Sequence, residues 1–283
     1  MADNIQLSAF ADEAGSDLSI QIKALNEAGI SNIEIRGVDG KPFIDRTPAQ
    51  AKEIADKLAA SGIKIRSLGS PCGKIGVKDD FAPHLELFKR TVELGNTVGA
   101  ECIRLFSFYI PEGDRPEDYR DVVLERLSAF CNVAKGSGLY LCHENEKGIY
   151  GDVAVRCAEL MAELPDLYSV FDSANFIQAG QDVRQAWSIL KNRVHYIHVK
   201  DATAEGAIVP AGEGIGLYPE ILAEYSKRGG GGITLEPHLA VFDGLAGLER
   251  EGEKSNVGSY SFSTNEEAFA AGVKYLKGVL AKI

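Results

Sequence analysis

Leu139-Tyr-Leu-Cys-His-Glu-Asn145, Leu167-Tyr-Ser-Val-Phe-Asp-Ser173, Val194-His-Tyr-Ile-His-Val-Lys200 and Gly231-Gly-Ile-Thr-Leu-Glu-Pro237 are four short β-rich runs, each closing on polar or ionisable residues. Working outward from them, similar runs begin at Ile5 (IQLSAFA), Asn32 (NIEIRG), Ile63 (IKIRSLG) and Ala100 (AECIRLFSF). Consecutive starts lie 27 to 39 residues apart, and each interval holds a segment of helical periodicity. Between Ser16 and Gly29, Leu18, Ile22, Leu25 and Ala28 fall on one face, and Gly29 suits a C-cap. Thr47-Pro48 supplies an N-cap and an N1 proline for the next helix, which Gly62 closes. Eight strand–helix units ending in a helix near Thr264 to Lys282 predict an α/β chain: a single (β/α)8 TIM barrel spanning residues 1–283. An open doubly wound sheet is the alternative, and no nucleotide-binding glycine fingerprint follows the first strand to favour it. The stretch from Leu239 to Ser263 is too long for an ordinary loop after a strand. It reads as a lid or an oligomer contact.

Composition narrows the class. The chain has 283 residues, 45% of them hydrophobic, enough for a globular core. Its 30 Lys and Arg stand against 41 Asp and Glu, a net charge of −11. With no basic cluster, nucleic acid and anionic membrane surfaces are excluded as partners. Five cysteines, an odd number without a CxxC pair, argue against a disulfide scaffold or zinc knuckle and for a reducing compartment. Met-Ala-Asp-Asn at the start lacks the features of an export signal, and no apolar run is long enough to span a bilayer. The expectation is a cytoplasmic protein.

In such barrels the site lies where the strands end, and alternation decides which side chains point inward. On the seventh run Tyr196, His198 and Lys200 share a face. On the fifth, sixth and eighth runs the corresponding residues are Glu144 (with Tyr140 and Cys142), Asp172 and Glu236. If those faces point inward, Glu144, Asp172, His198 and Glu236 converge at the mouth. A single carboxylate there can equally be an ion-pair partner or a cap, and a single histidine can equally be a core residue. Four in matching register on consecutive strands point to a metal site instead. Three carboxylates and an imidazole suit Mn2+ first, then Mg2+ or Co2+, with Zn2+ also accommodated. His143 and His195 fall on the helix-facing side and read as structural unless a bulge re-aims them. His84 reads as part of a solvated helix face, while His238 lines the mouth. The cysteines read as core fillers, Cys142 being the one that points inward near Glu144. Gly229 to Gly232 read as a helix-to-strand turn.

Asn32-Ile-Glu-Ile-Arg36, His143-Glu-Asn145, Phe171-Asp-Ser-Ala-Asn-Phe176, His198-Val-Lys-Asp201, Pro210-Ala-Gly-Glu-Gly214 and Leu235-Glu-Pro-His238, in this order, resemble the xylose-isomerase-like TIM-barrel superfamily of sugar epimerases and isomerases. That superfamily also includes endonuclease IV, and the resemblance spans nearly the whole chain. It implies one divalent metal held by Glu144, Asp172, His198 and Glu236. It also implies a ketose, keto-sugar or sugar derivative reacting through an enediolate, with Glu144 and Glu236 as proton-transfer residues on opposite faces. Arg36, Arg104 and Lys200 become hydroxyl or oxyanion partners, and Glu213 meets substrate or a neighbouring strand. His238 joins the substrate-binding set. Arg36 and Arg104 read equally as an ion-pair layer with Glu34 and Glu101. Asn175 stands where many relatives carry histidine; asparagine can donate a hydrogen bond but cannot shuttle a proton at neutral pH. A metal-dependent lyase acting on a keto-inositol or 3-keto-glycoside uses the same residues and is the closest alternative. An endonuclease IV-like nuclease and a non-catalytic sugar-binding barrel are the more distant ones. Size and family suggest a homodimer or homotetramer.

Overall fold

The computed structural model describes residues 4–243, 245 and 260–283. Eight parallel strands close into a barrel in chain order. They are β1 (Ile5–Ala9), β2 (Asn32–Ile35), β3 (Lys64–Gly69), β4 (Cys102–Leu105), β5 (Tyr140–Glu144), β6 (Leu167–Asp172), β7 (Val194–Val199) and β8 (Gly231–Leu235). The pairing of β8 with β1 completes the circle. The helices are α1 (Leu18–Ala28), α2 (Pro48–Ala60), α3 (Phe81–Val98), α4 (Arg120–Ala134), α5 (Ala154–Glu163), α6 (Ser173–Gln178), α7 (Val183–Leu190), α8 (Tyr218–Lys227) and α9 (Asn265–Leu280). The architecture is the (β/α)8 barrel that the spacing predicts. Every expected strand is present, with starts moved by at most two residues. Among the described residues no helix is long and apolar enough to cross a membrane.

Local chemistry explains the boundaries. Thr47 and Gln50 form a reciprocal capping box at α2, with Pro48 in the first turn, so two otherwise orphaned amides find partners. Gly29 ends α1 in the left-handed region at φ 64°, which costs glycine nothing. Gly229 and Gly230, at φ 111° and 69°, make the turn from α8 into β8. The main apolar core lies between barrel and helices. A second, small cluster of Cys102, Cys142, Val170 and Tyr196 packs separately from it.

Two bulges break the register. Between β2 and β3 the pairing runs Ile33–Ile65 and then Glu34–Ser67, which leaves Arg66 extra. Between β6 and β7 it runs Ser169–Val194 and then Val170–Tyr196, which leaves His195 extra. A bulge re-aims the side chain it inserts. His195 therefore departs from the helix-facing position that strict alternation gives it: a ring nitrogen lies within 4.8 Å of the sulfurs of Cys102 and Cys142. His84 also departs from expectation. It is buried rather than solvated, because the loop after β3 folds back over α3 and the Gly73 amide donates to His84 Nε2 at 2.7 Å. Of the stretch 239–263 read as a lid or oligomer contact, residues 244 and 246–259 lie outside the described residues.

Candidate functional site

Glu144 ends β5, Asp172 ends β6, His198 lies on β7 and Glu236 directly follows β8. Because the strands are parallel and Asp172 pairs with His198 beyond the bulge, these four reach one end of the barrel, and their donor atoms all lie within 4.8 Å of one another. All four are buried. Bringing three carboxylates this close is costly unless cations answer them, and the chain supplies three. Arg104 Nη1 lies 3.2 Å from Glu144 Oε2, and Arg36 Nη1 lies 2.9 Å from Glu236 Oε1. Lys200 Nζ sits 3.1 Å from Asp172 Oδ2 and 3.4 Å from Glu236 Oε2.

His198 is the hub. Its Nδ1 is 2.8 Å from Glu144 Oε1 and 3.4 Å from Glu236 Oε2, so that nitrogen faces the carboxylates. Its Nε2 is 3.1 Å from Glu34 Oε2. Glu34 is itself fixed by the hydroxyls of Tyr196 at 2.9 Å and Thr234 at 2.8 Å. A carboxylate behind an imidazole sets the ring's tautomer and orientation, the usual support of a metal-binding histidine. Asn145 ties the ends of β5 and β6 together by donating to the Asp172 carbonyl at 2.9 Å and accepting from the Asp172 amide at 3.0 Å. Asp172 also caps α6 by accepting from the Asn175 amide at 2.9 Å. The Asn175 side chain donates to the Asn145 carbonyl at 2.9 Å and reaches Glu144 Oε1 at 3.4 Å.

The protonation pattern follows from these contacts. Burial works to raise Glu144, but His198 and Arg104 outweigh it and hold the carboxyl at about 2. Burial is likewise overcome at Glu236, where Lys200 and His238 keep the group well below the usual range. At Asp172 burial prevails over Lys200 and lifts the carboxyl to about 7, helped by the neighbouring glutamates. Burial disfavours charge on His198, yet Glu144 and Glu34 raise it well above its ordinary value.

A cation would answer much of this crowding. Glu144 Oε2 and Asp172 Oδ2 are fully buried and accept no hydrogen bond; each meets only the side-chain cation of its ion pair, Arg104 or Lys200, a place that a metal ion could share or take over. The residues present therefore fit a hard or borderline divalent ion.

The other expected site residues separate into two groups. Lys200, Arg104, Arg36 and Asn175 stand against the cluster. His238 does too: its Nε2 is 3.4 Å from both Glu236 Oε1 and Glu13 Oε1, and its amide donates to Glu13 Oε2 at 2.7 Å. Glu213 does not join them. Its side chain is exposed beside Lys274 and Lys282 on the outer surface. The glycines around it serve another purpose: the amides of Gly212, Gly214 and Gly216, with that of Ala202, all donate to the carboxylate of Asp201. Gly214 cannot be replaced cheaply, since a Cβ there would lie 2.3 Å from the Ala202 carbonyl oxygen.

The ion-pair layer expected of Arg36 and Arg104 with Glu34 and Glu101 also takes a different form. Arg36 pairs with Asp12 at 2.9 Å, Glu13 at 3.5 Å and Glu236, whereas Glu101 pairs with Arg66 and His195. Asp12 and Glu13 are contributions that the sequence reading missed. They follow directly on the first strand, so the strand-end rule that selected Glu144 and Asp172 extends to them. Phe10 lies beneath both guanidinium groups, 4.3 Å from Arg36 and 5.3 Å from Arg104. Beside them opens a cavity of about 290 Å3, bordered by Arg36, Arg104, Lys41, Lys74, Asp12 and Asp243. That is room for a small polar molecule held by cationic and hydroxyl-accepting groups.

Residues 22–277 match the family model for the xylose isomerase-like TIM barrel. Among curated proteins, the inosose dehydratases of two strains of Mesomycoplasma hyopneumoniae are 24% identical over 208 residues. The match covers 68% of this chain and 66% of theirs, so the chain spans just under two thirds of those relatives' length. Three solved structures are similar in fold. The probable 3-DHS dehydratase AsbF of Bacillus anthracis superposes with a TM-score of 0.74 at 17% identity, covering 96% of this chain and 98% of its own. The IOLI protein with a bound zinc atom gives 0.73 at 16%, covering 98% of each. The D-psicose 3-epimerase of Clostridium cellulolyticum H10 gives 0.72 at 14%, covering 97% and 99%.

Proposed function

The chain belongs to the xylose isomerase-like TIM barrel family, and from that premise we propose a divalent-metal-dependent enzyme that removes the proton beside the carbonyl of a polyhydroxylated ketone. Its leading outcome is isomerisation or epimerisation of a ketose or keto-sugar. One observation carries this reading: Glu144 and Glu236 are two carboxylates on the same nitrogen of His198, each backed by its own arginine. Two bases of matched charge, held separately, can take a proton from one side of a carbon and return one from the other. Glu144, Asp172, His198 and Glu236 would hold the cation, with Mn2+ favoured by the oxygen-rich set and Zn2+ supported by the zinc-bound relative in fold. Bound there, a divalent ion supplies Lewis-acid stabilisation of the charge that develops on the substrate oxygens.

The chain's own groups do the rest. Lys200 and Arg104 place positive charge beside the carboxylates, which keeps both bases deprotonated. Arg36 and Arg104 border the cavity and can donate to substrate hydroxyls, while the Phe10 ring packs beneath both guanidinium groups. Asn175 sits close enough to Glu144 to orient a substrate oxygen there without exchanging a proton. Elimination of water after the same proton abstraction is the second reading, and the two inosose dehydratases among the curated relatives favour it.

The test is solvent exchange. Metal-stripped protein reloaded with Mn2+ is incubated in D2O with ketoses, inososes and 3-keto-glycosides and followed by proton NMR. Deuterium entering beside a carbonyl, abolished in Glu236→Gln with the fold intact, is the expected result. Epimeric products support the first reading and an enone or diketone the second. Unchanged turnover in Glu236→Gln would overturn the base assignment.

A further inference from the structure

Toward the starts of its strands the barrel carries a second group of metal-ligating side chains, chemically unlike the first. Cys102 on β4, Cys142 on β5 and His195 on β7 bring two sulfurs and a ring nitrogen within 4.8 Å of one another. Both cysteines are fully buried and neither is in a disulfide. His195 is only half-buried, so the cluster has one side toward solvent.

Several features of the fold are arranged around these three. His195 is present there only because of the bulge in β7, and Arg66 arrives through the bulge in β3. The Nε2 of His195 meets Glu101 Oε1 at 2.9 Å, and Arg66 Nε holds the other oxygen of Glu101 at 3.2 Å. With Nε2 held by a carboxylate, Nδ1 is the nitrogen left to ligate, the same support that Glu34 gives His198 at the other end. Tyr140 and Tyr168 flank the imidazole at 4.5 and 5.6 Å between ring centres. The Arg66 guanidinium fits only because residue 232 is glycine, where a Cβ would fall 1.4 Å from Nη1.

We propose that Cys102, Cys142 and His195 form a second cation site, specific for a thiophilic divalent ion such as Zn2+, with the fourth position open toward solvent. The geometry is close to what such an ion needs. A tetrahedral zinc with bonds of ~2.3 Å to sulfur sets its ligands about 3.8 Å apart, so separations within 4.8 Å close with shifts of about 1 Å. Two thiolates balance the charge of a divalent ion, while Arg66 and Glu101 balance each other. Soft sulfur ligands at one end and carboxylates at the other would sort two kinds of cation between them. An ion here would tie β4, β5 and β7 together toward the starts of the strands, separated from the candidate active site by the layer that holds Tyr196.

Cobalt(II) is the probe, because a cobalt–thiolate bond gives an intense near-ultraviolet charge-transfer band that carboxylate and imidazole ligands do not. Metal-stripped full-length protein titrated with Co2+ is expected to develop that band with the intensity of one thiolate-bound ion per chain, a second ion entering the carboxylate site without adding to it. The band should survive in Glu144→Gln and be lost in the Cys102→Ser/Cys142→Ser double variant. His195→Asn, which leaves both sulfurs in place, is expected to weaken it at least tenfold, and it carries the test if the double variant does not fold. Visible cobalt absorption without the charge-transfer band, or a band unaltered in His195→Asn, overturns the proposal.

Discussion

Replacing Glu34 by glutamine separates charge from geometry at the candidate metal site. Glu34 accepts three hydrogen bonds: from His198 Nε2 at 3.1 Å and Thr234 at 2.8 Å on one oxygen, and from Tyr196 at 2.9 Å on the other. A glutamine amide can keep its oxygen toward His198 and Thr234 and turn its NH2 toward Tyr196. The Tyr196 hydroxyl then accepts and gives its own proton to Ser67 Oγ, 3.2 Å away. No buried partner is orphaned, so the fold and the ring orientation survive, and what disappears is the negative charge behind the imidazole. That charge raises the basicity of the ligating nitrogen and partly offsets the positive field of Arg104, so its loss weakens metal binding in both ways. Removing such a partner costs roughly 10- to 100-fold in affinity, about 1.4 to 2.7 kcal/mol. Calorimetric titration of Mn2+ into metal-stripped wild type and Glu34→Gln measures this directly, with thermal melts as the control for folding. A folded variant that binds Mn2+ within twofold of wild type would refute the role given to Glu34.

Other expectations concern stability. Asp201→Asn sets an NH2 group against two of the four amides that now donate to the carboxylate, at 2.8 to 3.2 Å. Burial holds this carboxyl above its ordinary pKa despite those amides, so losing the charge returns part of the cost. A net destabilisation of about 2 to 4 kcal/mol should appear in urea unfolding, and a change under 1 kcal/mol would contradict the account. His84 is held near 4 by burial, with Arg126 adding to the effect, against 6.5 in the unfolded chain. The folded state therefore resists protonation. Its contribution is complete above pH 6.5 and falls away as pH drops toward 4, by at most roughly 3 kcal/mol. His84→Gln, which keeps an acceptor for the Gly73 amide, should show a shallower fall in melting temperature over that range; parallel profiles would count against it. Gly232→Ala should displace the Arg66 guanidinium, loosen its pair with Glu101 and lower stability by about 1 to 3 kcal/mol. A melting temperature equal to wild type would show that Arg66 has another place to go.

The barrel was readable because its information is local and periodic: strand spacing, the Thr47-Pro48 helix start and the Gly29 stop all act over a few residues. The four candidate ligands were readable for a related reason, since alternation along a strand carries directly into which side chains point inward. What escaped the sequence are pairings across the barrel. Glu34 and Thr234 meet over 200 residues of separation, and nothing near Glu34 announces that its partner is His198 rather than Arg36. Bulges are equally silent, so His195 was assigned by a strict alternation that β7 does not keep. Glu213 was placed by resemblance alone, and the sequence does not announce that the glycines around it wrap Asp201 and leave its side chain exposed. His84 misled because its burial comes from a returning loop and not from its own helix.

The cations placed among the buried carboxylates bear on how the protein would take up the proposed metal. Small metal-dependent domains often stay unfolded until their ion arrives, because the ligands cannot be gathered without it. Here Arg36, Arg104 and Lys200 already hold Glu236, Glu144 and Asp172 in place. On the proposed metal dependence, the chain is expected to finish folding without metal and to load or release an ion as supply changes. A chelator should then silence it without unmaking it.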